Sequence, residues 1–356
     1  MDLDDVRQKI DAIDREIITR INERVRLASE VARAKHAAGL PIYIPEREEQ
    51  VFQKLSSINE GPLTEQAIRH IYREVISAMI ALEQPLKIAY LGPEGTYTEQ
   101  AARKNFGSSL DYHAVPSIAD VFSEVERREA DYGVIPIENS TGGAVIHSLD
   151  MLAETELKII GQVYLPVEHC LLSHSKLSEI TEVRSKDQAL IQCRDWLQRN
   201  LPNAKQIDCD STTGAVVHAT KNPGTAAIAG EIAAERYSIP LVAKGIQDRK
   251  DNETRFLVIA PEPNNGQTGP GLDKTSLVFS IHHEVGALEK VLRSFSTRQI
   301  NLSKIESRPS RKKAWEYLFF VDFDGHWNDP TIQEAIAELN SSCPLVKWLG
   351  SYPNSR

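Results

Sequence analysis

The stretch VRQKIDAIDREIITRINERVRLASEVARAK, Val6–Lys35, decides the first part of the fold. Its apolar residues recur at steps of three, four and seven, which is the period of an amphipathic helix. With its flanking residues, the stretch predicts one helix from Asp2 to about Ala38, roughly 55 Å long at about 1.5 Å per residue. A single compact small domain cannot cover a helix of that length. We therefore expect the helix to pack against a second copy of the chain.

Two cations lie on one face of this predicted helix. Arg24 and Lys35 are 11 residues apart, which at about 100° per residue is only about 20° from three full turns. Leu27, Ala28 and Val31 lie between them on the same face, so two charges border an apolar stripe. Buried cations without nearby acids are costly unless an anion completes them. The pattern favours an anion-binding pocket over the alternative, in which long side chains extend along a solvated face.

Three helices account for the first 84 residues. Gly39 and Pro41 end the first helix, and Pro45–Ile58 and Leu63–Leu82 are predicted as the second and third. Beyond them, short β-rich runs alternate with helical segments, which indicates an α/β domain with a mixed sheet. These runs include Lys87–Gly92, Tyr132–Glu138, Lys158–Val167, His169–Ser173, Thr225–Gly230 and Arg255–Ala260.

The polar segment Pro261–Asp273 is rich in Pro and Gly, as a domain boundary is. The residues after it predict the order β-α-β-β-α-β, which is the arrangement of a ferredoxin-like α+β domain. Domains are thus predicted at residues 1–84, 86–261 and 273–356. The predicted strands of the last domain are Thr275–Ile281, Leu302–Ser307, Trp315–Asp324 and Leu345–Gly350, and its helices are Val285–Arg298 and Pro330–Leu339.

Composition and charge exclude several classes of protein. The chain has 356 residues with 41 Lys and Arg against 50 Asp and Glu, a net charge of −9. This balance argues against nucleic acid or membrane held by bulk charge. The four cysteines are scattered without metal or disulfide spacing, and no run approaches the roughly 18 apolar residues of a membrane span. We expect a cytoplasmic protein that needs neither metal nor other cofactor.

The helical region resembles the all-helical chorismate mutase family on the quoted stretch and on PEREEQV and ISAMIALEQ. The resemblance implies that chorismate rearranges to prephenate in a charged pocket without a nucleophile. Ile44 and Met79 depart from the family, which often has an acid and a small polar residue there. Glu83 replaces a frequent Gln and can donate a hydrogen bond only when protonated. In the implied site, the substrate carboxylates are bound by Arg24, Arg47 and Arg7, of which Arg7 comes from the second chain of a dimer. Lys35 and Glu83 contact the ether oxygen, and Glu48 contacts the hydroxyl. Met79 also belongs to the implied site.

The central region resembles prephenate dehydratase over about residues 87–260. The resemblance is carried by GPEGTYTEQAA, PIENSTGG and NETRFLVIA, which begin at Gly92, Pro136 and Asn252, and by HCLL, DQALIQC and DSTTGAV. It implies two α/β lobes like those of a periplasmic binding protein, with the site in the cleft. Each turn alone favours an ordinary capped loop, and only the co-occurrence of the turns with NETRFLVIA favours the resemblance. Lys186 occupies a position where the family often has His. The missing histidine therefore cannot be a required base in this chain.

Prephenate loses CO2 and its 4-hydroxyl, so the enzyme must supply a proton or a hydrogen bond to the departing oxygen. Thr254, in the family's Thr-Arg-Phe motif, is the expected donor, with Glu138 as a candidate relay partner. Arg255 either anchors a carboxylate or forms a structural ion pair. The uncharged donors expected for the substrate's carboxylate and keto group are Thr96, Asn139, Ser140, Thr141 and Ser211.

The last domain carries two segments that match the signatures of the ACT regulatory domain. Gly286–Leu288 opens a helix and Glu306–Ser310 ends a strand, although both are ordinary as local chemistry. The resemblance implies phenylalanine binding at a dimer interface and feedback closure of the dehydratase cleft. The implied effector residues are Gly286, Ala287, Leu288, Glu306, Ser307, Arg308 and Pro309.

Together, the three resemblances imply a bifunctional enzyme of phenylalanine biosynthesis, both isomerase and lyase, that forms a homodimer or a larger homo-oligomer. Two alternatives remain open: a dehydratase that prefers arogenate, and a non-catalytic amino-acid sensor. A pure sensor has no need of the complete mutase set. A mutase domain that only docks and regulates is also open, in view of Ile44 and Met79.

Overall fold

The structure is a computed structural model that describes residues 2–37, 41–263, 266–310 and 317–354. These residues form two compact units. The first holds the chain up to Leu86 together with the short segment Phe106–Asp111, and the second holds Lys87–Asn105 and the chain from Tyr112 onward. The first unit is therefore built from two separate stretches of sequence.

The first unit is helical, as the apolar period predicts. Its elements are α1 Leu3–Ala37, α2 Pro45–Ser57 and α3 Glu65–Glu83. Pro45 begins α2, where its missing N–H costs nothing, and the Thr64 hydroxyl caps α3. Gly107, in the second stretch of the unit, has a φ of +78° and lies so close to Ser77 that a Cβ atom would come within 2.4 Å of the serine Cβ. Only glycine fits there.

The apolar stripe of α1 is largely uncovered within the described chain. Ile10, Ile13 and Ile17 are 51%, 56% and 48% exposed. An amphipathic helix in a protein gains most of its stability by burying its apolar face against other parts of the structure. An exposed stripe of this length is typical of a helix that packs against another chain.

The second unit contains three sheets among its described residues. Its strands are β1 Lys87–Leu91, β2 Asp111–Val115, β3 Tyr132–Asn139, β4 Gly143–Ala144, β5 Lys158–Pro166, β6 Cys170–Leu172, β7 Glu182–Ser185, β8 Lys205–Asp208, β9 Thr225–Ala229, β10 Leu241–Lys244, β11 Glu253–Ala260, β12 Asp273–Ser280, β13 Leu302–Pro309, β14 Tyr317–Asp324 and β15 Leu345–Pro353. Its helices are α4 Tyr97–Phe106, α5 Ile118–Glu126, α6 Ile146–Glu154, α7 Asp187–Gln192, α8 Arg194–Asn200, α9 Thr212–Ala219, α10 Glu231–Arg236, α11 Ala287–Ser296 and α12 Pro330–Ser342.

The first two sheets form the two predicted α/β lobes. The first has the strand order β2-β1-β3-β11-β5, with β4 added to β3, and the second has the order β10-β6-β9-β7-β8. Parallel and antiparallel pairs occur in both. Strand β11 follows the second lobe in sequence but lies in the middle of the first sheet, so the chain crosses between the lobes twice. The prediction of a mixed, two-lobed α/β region is confirmed.

The third sheet confirms the predicted β-α-β-β-α-β order, with its strands arranged β13-β14-β12-β15 and all pairs antiparallel. One face packs on α11 and α12 through a core that includes Phe279, Phe295 and Phe323. The other face shares a core with the first lobe, in which Phe320 and Tyr352 join Leu257. The predicted strand start at residue 315 lies outside the described residues.

Of the helices in the described ranges, none is both long and apolar enough to cross a membrane.

Candidate active sites

An open pocket in the helical unit gathers most of the charged residues predicted for the mutase. Its cavity volume is about 230 Å³. All three helices contribute to it, and its apolar walls include Ala28, Val31 and Ile80. Six of the seven predicted mutase residues line this pocket: Arg24, Lys35, Arg47, Glu48, Met79 and Glu83. A cavity with three cations and apolar walls suits a small, compact dianion.

Lys35 and Glu83 influence each other across the pocket. The Lys35 ammonium donates a hydrogen bond to the Ile42 carbonyl at 3.0 Å. Burial lowers the pKa of Lys35, and the charge of Glu83 opposes that shift. Burial likewise raises the pKa of Glu83, against the pull of Lys35. A raised pKa widens the range over which the Glu83 carboxyl is protonated and can act as a donor.

Glu48 is held in place by Arg73, a residue that no pattern in the sequence singles out. The Arg73 guanidinium forms an ion pair with the Glu48 carboxylate, and both side chains are largely buried. Burial raises the pKa of Glu48, and the guanidinium opposes that rise. Arg73 also lies 4.8 Å from the centre of the Phe52 ring. The two partners are far apart in sequence, so only the packing of α2 on α3 brings them together.

Arg24 and Arg7 occupy different surroundings on α1. The Arg24 guanidinium contacts the Met79 sulfur and lies 5.8 Å from the centre of the Tyr72 ring. A thioether is a weak acceptor, so Arg24 keeps its capacity to bind a carboxylate. The Arg7 side chain is 67% exposed, 3.4 Å from Asp4, and it does not line the pocket of its own chain.

In the second unit, Thr254 lies opposite Asn139, on neighbouring strands β11 and β3. The Asn139 amide nitrogen donates to the Thr254 hydroxyl oxygen at 2.8 Å. The Asn139 carbonyl oxygen accepts from the Thr141 hydroxyl at 2.7 Å and from the Gly142 N–H at 2.8 Å. Because Asn139 occupies an acceptor position of Thr254, the hydroxyl can direct its own proton toward a ligand.

A glutamine from the second lobe joins this group. Gln192, at the end of α7, donates to the Thr141 hydroxyl at 2.9 Å and accepts from the Asn252 amide at 3.1 Å. Its carbonyl oxygen lies 2.8 Å from a ring nitrogen of His169, whose other nitrogen lies 3.0 Å from the Tyr97 hydroxyl. Burial lowers the pKa of His169. The quoted motifs contain Gln192, Asn252 and His169, but the sequence gives no reason to single them out.

The other predicted donors bond to backbone groups. The Ser140 hydroxyl accepts a hydrogen bond from the Glu253 N–H at 2.9 Å. The Thr96 hydroxyl donates to the Leu91 carbonyl at 3.2 Å, and the Ser211 hydroxyl caps α9. These bonds shape the turns and helix starts around the cleft, and contact of these three residues with substrate stays a prediction.

Arg255 and Glu138 are occupied elsewhere. Arg255 is 3% exposed, and its guanidinium donates to Glu138 at 3.0 Å, to Asp322 at 2.5 Å and to the Tyr352 hydroxyl at 2.8 Å. Glu138 also pairs with Lys304 at 2.5 Å. Burial raises the pKa of Glu138, but the charges of Lys304 and Arg255 outweigh this effect and hold that pKa below its usual value. An ionised Glu138 cannot donate a proton, so it is unsuited to the relay, and the geometry favours the structural ion pair for Arg255.

The predicted effector residues lie on two elements of the third sheet and its helices. Gly286 precedes α11 with a φ of 82°, a left-handed conformation that glycine adopts without strain, and Ala287 and Leu288 follow in the first turn. Glu306–Pro309 belong to β13, which is an edge strand. In this segment, Arg308 pairs with Asp150 of α6 at 2.8 Å.

Comparisons with known proteins agree with this geometry. Three family models match in succession: chorismate mutase type II over residues 6–84, prephenate dehydratase over 88–264 and the ACT domain over 275–340. The bifunctional chorismate mutase/prephenate dehydratase of Aquifex aeolicus (strain VF5) is 44% identical, over 99% of this chain and 98% of its own. The protein of the same name from Neisseria gonorrhoeae is also 44% identical, over 98% of this chain and 96% of its own.

A solved structure supports the fold of the second unit. The prephenate dehydratase from Arthrobacter aurescens, in complex with L-Phe, superposes with a TM-score of 0.71 at 31% identity, over 76% of this chain and 90% of its own. The matches cover nearly the whole chain in one continuous order. The chain therefore belongs to the bifunctional chorismate mutase/prephenate dehydratase family.

Proposed function

We propose that the chain catalyses two successive steps of phenylalanine biosynthesis in the cytoplasm, without a cofactor. The helical unit converts chorismate to prephenate, and the two-lobed region converts prephenate to phenylpyruvate with loss of CO2 and water. The observation that carries the proposal is the pocket in which Arg24, Lys35 and Arg47 converge with Glu48 and Glu83. Three cations that converge on one cavity are balanced best by an anionic ligand.

In the mutase step, Arg24 and Arg47 bind carboxylates, and Glu48 accepts a hydrogen bond from the substrate hydroxyl. Binding in this form selects the folded conformer in which the two reacting carbons meet. Lys35 and protonated Glu83 then stabilise the negative charge that develops on the ether oxygen as the bond to it breaks. Met79 and the aliphatic walls exclude water from the reacting carbons.

A second chain completes the mutase site in this proposal. Arg7 lies outside the pocket of its own chain, and the apolar residues beside it on α1, such as Ile10 and Ile13, are exposed. Two such helices packed antiparallel would bury both stripes and bring Arg7 of each chain toward the middle of the other helix. We therefore propose a homodimer whose interface is formed by α1.

In the dehydratase step, the bond between the ring and its carboxylate breaks, and its electron pair enters the ring. The bond to the 4-hydroxyl breaks at the other side, so the ring becomes aromatic. Thr254 donates a hydrogen bond to the departing oxygen, which leaves as hydroxide and takes up a proton from solvent to become water. Asn139 orients the Thr254 hydroxyl for this role. The neutral side chains of Thr141 and Gln192 bind the rest of the substrate without adding charge to the cleft.

The third sheet and its helices would regulate the dehydratase. The relative from Arthrobacter aurescens was solved with L-Phe, and we propose that phenylalanine binds this chain at Gly286–Leu288 and Glu306–Pro309. Its binding reduces dehydratase activity if the effector has higher affinity for the closed cleft than for the open one.

One coupled assay tests the whole proposal. It follows chorismate consumption and phenylpyruvate formation by the full-length protein, with and without phenylalanine. Consumption of chorismate, formation of phenylpyruvate and inhibition by phenylalanine are expected. A sensor would convert neither substrate, a docking mutase domain would leave chorismate intact, and a larger kcat/KM with arogenate than with prephenate would change the assigned substrate.

A further inference from the structure

The strand pair β3–β11 carries two neighbouring cross-strand pairs with different partners. Thr254 lies opposite Asn139, and Arg255 lies opposite Glu138. Successive side chains of a strand point to opposite faces of the sheet. Thr254 and Asn139 thus face the cleft, whereas Arg255 and Glu138 point to the side that packs on the third sheet, only about 3.4 Å further along the strands.

The third sheet supplies two charges that match this second pair. Lys304 of β13 and Asp322 of β14 are themselves cross-strand partners. Lys304 bonds to Glu138 at 2.5 Å, and Asp322 bonds to Arg255 at 2.5 Å. We call these four residues the interface tetrad. It contains two cations and two anions, of which Arg255 and Asp322 are buried and Lys304 and Glu138 partly buried. Arg255 and Asp322 also bond to the Tyr352 and Ser276 hydroxyls respectively.

The tetrad has the properties of a positioning device. A buried ion pair adds little net stability, because loss of hydration offsets the attraction. Removal of one partner is nevertheless costly, because it leaves the other charge buried without a counter-charge. What such a group fixes is geometry. Both terminal nitrogens of Arg255 are engaged on the side away from the cleft, so binding a substrate carboxylate would require Arg255 to break its pairs with Asp322 and Glu138.

The tetrad is also continuous with the proposed effector site. Lys304 precedes Glu306 by two residues on β13, so both side chains lie on the same face of that strand. Arg308, two residues further, contacts Asp150 of α6. A shift of this edge strand on effector binding would therefore move Lys304 relative to Glu138.

Resting on the proposed function, we propose that Arg255 is a positioning residue for the dehydratase reaction and not a carboxylate anchor. Arg255 and Glu138 fix the position of strands β11 and β3 from the face opposite the cleft, and so fix the Thr254–Asn139 pair. Lys304 transmits a change in the position of β13 to that pair. The interface tetrad is thus the route by which the effector changes the dehydratase rate.

The first test compares Asp322→Asn with Arg255→Lys in the full-length protein. Asp322 lies on the third sheet and cannot touch substrate, so an effect of Asp322→Asn on turnover must pass through the other members of the tetrad. Both variants are expected to lower dehydratase kcat at least tenfold with KM for prephenate changed less than twofold. The double variant should lose little more than either single one, because residues of one network are not additive. The KM for prephenate serves as the measure of intact folding, because mutase activity reports only on the helical unit.

The second test concerns regulation. Lys304→Met is expected to raise the phenylalanine concentration for half inhibition at least tenfold. Lys347→Met is the matched control, because Lys347 also joins the third sheet to the first lobe, through the Ala153 and Thr155 carbonyls, but lies outside the tetrad. The control should change inhibition less than twofold.

The results separate this inference from the proposed function. An increase in KM in Arg255→Lys, with Asp322→Asn unchanged, would restore Arg255 as a carboxylate anchor and overturn the inference. Equal loss of inhibition in both lysine variants would overturn the role of Lys304. In either case wild-type protein still converts prephenate, whereas a wild-type protein without dehydratase activity refutes the proposed function itself.

Discussion

Glu83 makes the mutase rate depend on pH in a direction that the structure defines. Its carboxyl can donate a hydrogen bond to the ether oxygen only while protonated. Burial raises the pKa of Glu83, whereas the nearby Lys35 ammonium limits that rise. Activity is therefore present below the pKa of Glu83 and lost as the pH increases through it. We expect the mutase rate to increase as the pH is lowered from 8 toward 5, until other groups titrate.

The size of the effect follows from the hydrogen bond that is lost. A bond to an acceptor with developing charge is worth about 1.5–3 kcal/mol, so its loss lowers the rate roughly tenfold to a hundredfold. Above the pKa of Glu83, each further pH unit reduces the protonated fraction about tenfold. The logarithm of kcat should thus decline with a slope approaching −1 until it reaches the rate that Lys35 supports alone.

Glu83→Gln is the decisive variant, because an amide of nearly the same shape donates at every pH. Its kcat for chorismate, measured by the loss of substrate absorbance from pH 5 to 8, should be nearly constant and above wild type at neutral pH. The dehydratase rate of the same preparation is the control for intact protein. A flat wild-type profile, or a variant with the wild-type slope, would refute the role assigned to Glu83.

Three further results are expected. Thr254→Ala should lower dehydratase kcat roughly a hundredfold or more, the usual size of a positioned proton donor, whereas Thr254→Ser should keep most of it; full turnover by the alanine variant would contradict the assignment. Asn139→Ala should lower the same kcat about tenfold, because Thr254 loses the bond that orients it, and unchanged turnover would argue against that role. Arg73→Met should destabilise the helical unit by about 3–5 kcal/mol in urea unfolding followed by circular dichroism, because Glu48 is left without its counter-charge. Adding Glu48→Gln should restore part of that loss, and no recovery would show that packing of Arg73 matters more than its charge.

The elements that the sequence predicts are those with a strong apolar pattern. The period of α1 and the buried runs of β3 and β11 are visible because nearly every apolar residue has a place in a core or at an expected interface. Several short strands, among them β2, β8 and β10, give no such signal. These three lie at sheet edges, where one neighbour is missing and half the residues face solvent, so their sequences are mixed and polar.

The candidate sites show a similar limit. Arg24 and Lys35 can be placed on one face by arithmetic, because they share a helix. Arg73 cannot be paired with Glu48 in that way, since their contact depends on how two helices pack. The orientation of Arg255 follows from strand alternation once β11 is known. Its pairing with Asp322, and that of Glu138 with Lys304, depend on the docking of a sheet whose strands come later in the sequence.

The short segment Phe106–Asp111 belongs to the helical unit although it is separated from it along the chain. There the Phe106 ring lies 4.8 Å from that of Tyr43, and the Ser109 N–H donates to the Ser77 hydroxyl at 3.2 Å. A gene fragment that stops after Leu86 would encode all three helices but leave Tyr43 without its aromatic cover. Truncation of the chain after Leu86, in the laboratory or in evolution, therefore yields a helical unit with an exposed aromatic surface. A stable separate mutase domain would need polar residues on that surface.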